Sequence, residues 1–155
     1  MYVLDATALR TGIATDGSQE WFTTPSVLEE IRLGKVARDL RMLEGVHLVV
    51  KAPREDCRER ILEASAVTGD DERLSVTDID VLALALEMSA TVLSDDYSIQ
   101  NVAKRLGLEY AGTAEPGIRE VFDWTYRCTG CGRFYDESSG SCEICGSDLK
   151  MVRKR

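Results

Sequence analysis

The chain has 155 residues with 27 acidic and 19 basic side chains, a formal net charge of −8. That length supports one sizeable core plus a small module, and the acidity argues against a protein that holds nucleic acid by neutralising phosphates over its whole surface. No apolar run reaches the roughly 20 residues of a membrane-spanning helix, and MYVLDATALR lacks the charged-then-apolar form of a signal peptide, so a soluble, cytoplasmic protein with no membrane partner is expected.

The first predicted element is the strand in YVLDAT, rich in β-formers and ending at Asp5, where small and polar residues suit a strand-to-helix turn. Next, WFTTPSVLEEI gives a strand over Trp21–Thr23, Thr24 as helix cap, Pro25 at the first helical position, and Val27, Leu28 and Ile31 as the packed face. Glu30 borders that face, whereas Glu29 points further into solvent. Gly34 breaks or kinks the helix before KVARDLRMLE resumes with Val36, Leu40 and Leu43, and VHLVV is another strand. REDCRERILEASAVTG is a charged amphipathic helix closed by Gly69, and SVTDIDVLALALEMSA is a capped, almost wholly apolar helix. TVLSDD, SIQNVAKRLGL and LEYAG follow as strand, helix and strand. Alternating β and α elements imply a helix-covered parallel sheet, an α/β domain over residues 1–112. Residues 113–124 are expected to form a linker or connecting helix to a module over 125–155.

In such sheets ligands bind beyond the carboxyl ends of the strands, where Asp5, Asp95 and Asp96 fall. One Asp at a strand end equally serves to cap the next helix; carboxylates at two strand ends are less easily dismissed. On a helical wheel Asp78 shares its face with Val81, Leu82, Ala85 and Ser89 and heads inward, while Asp80 lies beside Glu87 on the more polar side. A buried carboxylate is costly unless protonated, hydrogen-bonded at the helix start or neutralised by a cation. Capping by Thr77 and Asp78 stays open at this point, with Asp80 as the capping-box partner of Thr77. Asp5, Glu30, Asp78 and Asp96 can therefore converge at one edge of the sheet, and hard oxygen ligands of this kind hold Mg²⁺ or Mn²⁺. His47, within a strand and the only histidine, is expected to be structural, and Cys57 an ordinary free thiol.

The remaining cysteines, Cys128, Cys131, Cys142 and Cys145, form two C-x2-C pairs, each followed directly by Gly, where positive φ is cheap. Two such knuckles close a tetrahedral Zn²⁺ site with no open position, hence a structural one. The rivals are two disulfides or a redox C-x-x-C, and no thioredoxin-like strand-helix pattern surrounds the pairs. Residues 125–155 carry six basic and four acidic side chains, leaving thirteen basic and twenty-three acidic before them. Arg127, Arg133, Lys150 and the terminal RKR offer a local basic patch, although RKR is equally a solvated end. Tyr126, Phe134 and Tyr135 either stack on bases or form the small core of the ribbon.

YVLDAT, TTPSVLEEI, LSVTDIDVLALALE and VLSDDYSIQNVA resemble the PIN-domain ribonucleases, compact α/β/α sandwiches marked by scattered acidic residues. With the four-Cys ribbon appended, the chain is similar over about residues 1–150 to the Nin-one-binding family, endonucleases that trim the 3′ end of small-subunit ribosomal RNA, and its shortness is like the archaeal members. The resemblance implies Asp5, Glu30, Asp78 and Asp96 as catalytic positions. Of these, Asp5, Asp78 and Asp96 would bind catalytic Mg²⁺ or Mn²⁺, and Asp95 either assists the metal or caps the following helix. It further implies metal-assisted phosphodiester hydrolysis leaving a 5′-phosphate and a 3′-hydroxyl. The implied partners are precursor small-subunit rRNA, the small ribosomal subunit and assembly-factor proteins. A toxin-like PIN ribonuclease on tRNA or mRNA shares the acidic set but usually lacks a ribbon. A non-catalytic RNA-binding assembly factor would have little need for all four acids. Haloacid-dehalogenase-like phosphatases need a second Asp two residues after the first, where Thr7 stands.

Overall fold

The computed structural model describes residues 1–11, 19–32, 48–113, 117–118 and 120–154. Gly34, the helix expected around Val36, Leu40 and Leu43, and His47 lie outside the described residues. Five strands, β1 (Tyr2–Leu4), β2 (Trp21–Thr23), β3 (Leu48–Val50), β4 (Thr91–Leu93) and β5 (Tyr110–Ala111), form one sheet in the order β3-β2-β1-β4-β5. Every pairing is parallel, with Val3 opposite both Phe22 and Val92 in the central register. The expected α/β alternation is thus present. The chain winds outward from β1 to β3 on one side and then returns to place β4 and β5 on the other. The reversal falls between β1 and β4, the point at which open parallel sheets form a crevice beyond their carboxyl ends.

Helices α1 (Ala6–Thr11), α2 (Pro25–Arg32), α3 (Glu55–Thr68), α4 (Val76–Met88) and α5 (Tyr97–Arg105) follow the strands. Their apolar faces and the sheet share one core, with Val3, Val27, Ile31, Ile61, Leu82, Leu84, Val92, Ile99 and Val102 among its fully buried side chains. Each helix end follows its local chemistry. The Thr24 hydroxyl accepts the Val27 amide at 3.3 Å ahead of Pro25, and Gly69, at φ 76°, closes α3 by donating its amide to Ser65 O. Helix α4 is buried continuously from Ile79 to Ala85, as expected for a helix with no solvent face. No helix among the described residues is long and apolar enough to cross a membrane.

A second, antiparallel sheet in the order β7-β6-β8 contains β6 (Trp124–Cys128), β7 (Phe134–Tyr135) and β8 (Leu149–Arg153). Trp124, at the end of the expected linker, opens β6, and none of the described residues between 113 and 123 is helical. Phe134 is 61% exposed, which removes it from any ribbon core, whereas Tyr126 and Tyr135 are partly covered.

Asp70 joins this sheet to the larger body. Its carboxylate is fully buried and accepts from Thr68 Oγ1 at 2.7 Å, Asn101 Nδ2 at 2.6 Å and Trp124 Nε1 at 2.8 Å. Burial pushes this carboxyl above its ordinary range, and the three hydrogen bonds pull against that push. Trp124 also packs against the end of α3, where a side chain at Gly69 would start 3.2 Å from its Cβ. Replacing Trp124 by Phe leaves Asp70 Oδ1 without its indole donor. The expected cost is about 1–3 kcal/mol in urea unfolding, the penalty for an unsatisfied buried acceptor, with the slope of the transition unchanged.

Candidate active site and four-cysteine cluster

Asp5, Asp78 and Asp96 approach one another at the reversal point because each stands at the start of a helix, whereas Glu30 lies near the end of α2. Asp5 leaves β1 with only 4% of its surface exposed; Oδ1 accepts the Ala8 amide at 2.6 Å and Oδ2 accepts the Ser94 hydroxyl at 2.5 Å. It is therefore both a cap for α1 and a member of the cluster. Ser94 Oγ in turn accepts the Asp96 amide at 3.0 Å, so one small hydroxyl after β4 ties the two aspartates together. Ser94 escaped the sequence reading; its only signal is a serine between a buried strand and an acidic pair.

Asp96 caps α5, with Oδ1 accepting the amides of Ser98 at 2.6 Å and Ile99 at 3.4 Å. The cap role open to Asp95 therefore belongs to its neighbour. Asp95 instead turns away and accepts from the amide of Thr113 at 2.7 Å and from its hydroxyl. At α4 the expected cap is displaced: Ser75, not Thr77, is the N-cap, and Asp78 Oδ2 reaches back to Ser75 N and Oγ, both at 2.8 Å. The expectation for Asp80 is also corrected. It is 7% exposed, accepts from Ser26 Oγ at 2.7 Å and lies 3.2 Å from Arg58 Nη1, an ion pair between α4, α3 and the start of α2. Helix α4 has no polar side for it to occupy. Glu30, on α2, is 44% exposed and pairs with Arg10 at 3.2 Å, a surface ion pair of small energetic weight.

Burial pushes the Asp5 carboxyl up; the Ala8 amide and Ser94 hydroxyl pull it down, and the charges of Asp78 and Asp96 push it further. Asp78 is raised in the same way, first by burial, against its Ser75 hydrogen bonds, and then by the charges of Asp96 and Glu30. Asp5, Asp78 and Asp96 thus lie within electrostatic reach of one another, and Glu30 lies within reach of Asp78. They do not collapse into a tight cage. Among the described residues, only the four cysteines bring three or more metal-ligating atoms within 4.8 Å of each other.

That cysteine cluster is local in origin. Gly132 and Gly146, each directly after the second Cys of a pair, take φ 76° and 71° as the sequence requires. The amides of Gly130 and Cys131 point at Cys128 Sγ from 3.3 and 3.4 Å, and the sulfurs of Cys128–Cys145 and Cys131–Cys142 stand 3.4 and 3.6 Å apart. A tetrahedron with metal–sulfur bonds of about 2.3 Å has edges of about 3.8 Å, so the four sulfurs fit a single ion. The Tyr135 hydroxyl, 3.0 Å away, is the main cause that draws the Cys142 thiol down to about 6. The Arg133 amide favours the Cys131 thiolate, but hydrogen bonds to Cys142, Cys128 and Cys145, with burial, push that thiol up to about 11. Four thiols at this spacing compete for protons, a conflict that a divalent ion resolves by taking four thiolates. Cys57 is buried in the core as a free thiol, apart from this cluster.

A family model described as the PIN domain of ribonuclease matches residues 2–88, and one described as a PINc domain ribonuclease matches residues 73–118. The chain is 39% identical to Endoribonuclease Nob1 of Pyrococcus abyssi over 99% of its own length and 94% of that protein. The chain belongs to the Nob1 family of PIN-domain endoribonucleases. It is also 37% identical to Ribonuclease VapC1 of Thermoplasma acidophilum, over 99% of this chain and 83% of that one. To the 20S-pre-rRNA D-site endonuclease NOB1 of Saccharomyces cerevisiae it is 28% identical, over 63% of this chain and 22% of the yeast protein. The family resemblance carried by the acidic motifs and the ribbon is borne out.

The raised carboxyls fix the sign of a pH effect. Native Asp5 and Asp78 hold protons above the ordinary 3.8, so the folded chain binds more protons than the unfolded one in that window and stability falls as pH rises through it. Asp5→Asn keeps an acceptor for Ala8 and removes the charge. With no divalent salt added, its Tm should exceed that of the parent at pH 8, and the difference should shrink toward zero near pH 4.

Proposed function

We propose that the chain is a Mg²⁺- or Mn²⁺-dependent endoribonuclease that cleaves precursor small-subunit rRNA at its 3′ end. The observation that carries this is the gathering of Asp5, Asp78 and Asp96 into one mutually repelling group at the sheet reversal, with Glu30 near Asp78, in a chain aligned with Nob1 almost end to end. The substrate is supported by the yeast relative, whose name specifies a pre-rRNA site. The VapC1 relative, aligned over as much of this chain, favours as a second reading a toxin-like ribonuclease on tRNA or mRNA.

The donor set fits a hydrated divalent cation. Mg²⁺ keeps several waters and is held directly by one or two carboxylates, which suits acids too widely spaced for a dry cage. Asp5, Asp78 and Asp96 would hold it. Such an ion supplies Lewis acidity there, lowering the pKa of the attacking water and neutralising charge on the phosphate. The protein's own part is placement. The Ser94 and Ala8 hydrogen bonds fix both oxygens of Asp5, and the α5 cap fixes one oxygen of Asp96 and leaves Oδ2 without a hydrogen bond among the described residues. Glu30 adds negative charge beside Asp78, so the group as a whole attracts a cation and, through it, an RNA phosphate that the bare acids would repel. Cleavage would leave a 5′-phosphate and a 3′-hydroxyl.

In the same reading Zn²⁺ occupies the four-cysteine cluster as a structural ion, and Arg127, Arg133 and Lys150 of the ribbon contact RNA or the small ribosomal subunit, with assembly-factor proteins as further partners. Reduced thiols suit the cytoplasm as the place of action.

Incubation with Mn²⁺ and an RNA spanning the small-subunit rRNA 3′ end, with tRNA and an unstructured mRNA as competitors, tests this. Asp5→Asn and Asp96→Asn are each expected to slow cleavage on the order of a hundredfold, the scale of losing one preorganised electrostatic group. Undiminished cleavage by both overturns the site, and preference for tRNA or mRNA overturns the substrate. For the ribbon, elemental analysis should find one zinc per chain, falling below half in Cys142→Ser.

A further inference from the structure

Three of the seven residues between α3 and α4 are gripped by the ribbon. Asp70 accepts the Trp124 indole, Glu72 accepts the Tyr126 hydroxyl, and the Arg73 guanidinium stacks over the Trp124 ring at 4.4 Å while its Nη1 lies 3.8 Å from Met151 Sδ. Arg73 then reaches the other way. Its Nε donates to Ser98 Oγ at 3.0 Å, and Ser98, 95% buried on the first turn of α5, donates its own amide to Asp96 Oδ1 at 2.6 Å. Asp96 continues through Ser94 to Asp5. A single unbroken line of contacts therefore runs from the ribbon strands to two of the acids at the sheet reversal.

We infer that Arg73 is a positioning residue for the Asp96 end of the acidic site, and that docking of the ribbon on the α3–α4 turn sets how tightly that site holds its divalent cation. This rests on the nuclease reading of the acids. The physical case is that a guanidinium pinned on one side by an indole face cannot drift, so its single Nε–H bond to Ser98 Oγ tethers the first turn of α5. A tethered first turn keeps the Ser98 backbone amide on Asp96 Oδ1 and so fixes which oxygen of Asp96 remains for a cation. Partners one step behind a metal ligand commonly change metal affinity 10–100-fold when removed, although they touch neither metal nor substrate. Arg73 hydrogen-bonds to none of Asp5, Glu30, Asp78 and Asp96, so its effect must travel through Ser98.

Arg73→Gln, Arg73→Lys and Ser98→Ala in the full zinc-loaded chain test this, with zinc content checked to be unchanged. With no Mn²⁺ present, the Ser98 amide in Arg73→Gln should exchange with solvent roughly two- to tenfold faster, the effect of weakening one hydrogen bond. The Mn²⁺ concentration for half-maximal cleavage should rise about tenfold, with kcat at saturating Mn²⁺ and KM for RNA nearly unchanged. Arg73→Lys, which retains a donor, should fall between parent and Arg73→Gln. In the Ser98→Ala background Arg73→Gln should add nothing further, because the line is already cut. Unchanged exchange together with an unchanged Mn²⁺ requirement overturns the inference, as does a loss of kcat that excess Mn²⁺ does not restore. A parent chain that shows no response to Mn²⁺ sinks the nuclease reading instead, and the metal-free exchange rates still decide whether Arg73 holds Ser98.

Discussion

Like charges crowded at the ends of two adjacent parallel strands are the constraint on which the rest of this molecule depends. Carboxylates drawn partly out of water repel one another and resist ionisation, so a fold that gathers them must compensate. Here the compensation is local: the acids double as helix caps. Asp5 takes the Ala8 amide of α1, Asp78 the Ser75 amide ahead of α4, and Asp96 the Ser98 and Ile99 amides of α5. Three helix starts therefore turn their unpaired amides toward the negative group, and on the two longer helices the peptide dipoles add to the effect. The offset is incomplete, since Asp5 and Asp78 remain raised. What is left over is a demand for positive charge.

The ribbon obeys a different constraint. Its strands are two to five residues long and its aromatic Phe134 faces solvent, so it cannot bury enough apolar surface to order itself. Four thiols at ion-binding spacing take the place of a core, and the Asp70–Trp124 bond with the Asn101–Phe122 contacts takes the place of a large interface. A buried carboxylate with three donors is directional; Thr68 and Asn101 orient it from the larger body, and it orients the one donor the ribbon supplies, the Trp124 indole.

Legibility in the sequence followed how local each signal was. The cysteine knuckles with their glycines, Pro25 behind Thr24, and Gly69 at the end of α3 are decided within a few residues, and the structure has them where expected. Asp5 and Asp96 were legible because they follow strand ends, where an open parallel sheet binds its ligands and where the next helix also needs a cap. Asp78 and Asp80 were ranked by a helical wheel that assumes one wet face. Helix α4 is buried all round from Ile79 to Ala85, so Asp80 ended in a buried network with Ser26 and Arg58 that no wheel could show. Thr77 and Ser75 are both plausible caps two positions apart, and only the actual start of the helix chooses. Ser94 and Arg73 were invisible because their roles consist entirely of partners far away in the chain.

Capping also dictates which oxygens the acids have left to offer. Asp5 has both oxygens engaged, each by one donor; Asp78 has Oδ2 held by Ser75, and Asp96 has Oδ1 held by the start of α5. The oxygens without a hydrogen bond among the described residues are thus Asp78 Oδ1 and Asp96 Oδ2, and the charge of Asp96 raises the cost of ionising Asp78. An ion held directly by one or two carboxylates and otherwise by water is what such a pattern can support. Asp5, each of whose oxygens already accepts one donor, would have fewer free lone pairs to offer such an ion than Asp78 or Asp96. The same bonds that make a crowded acidic group tolerable to the fold would in this way also settle the division of labour among its members.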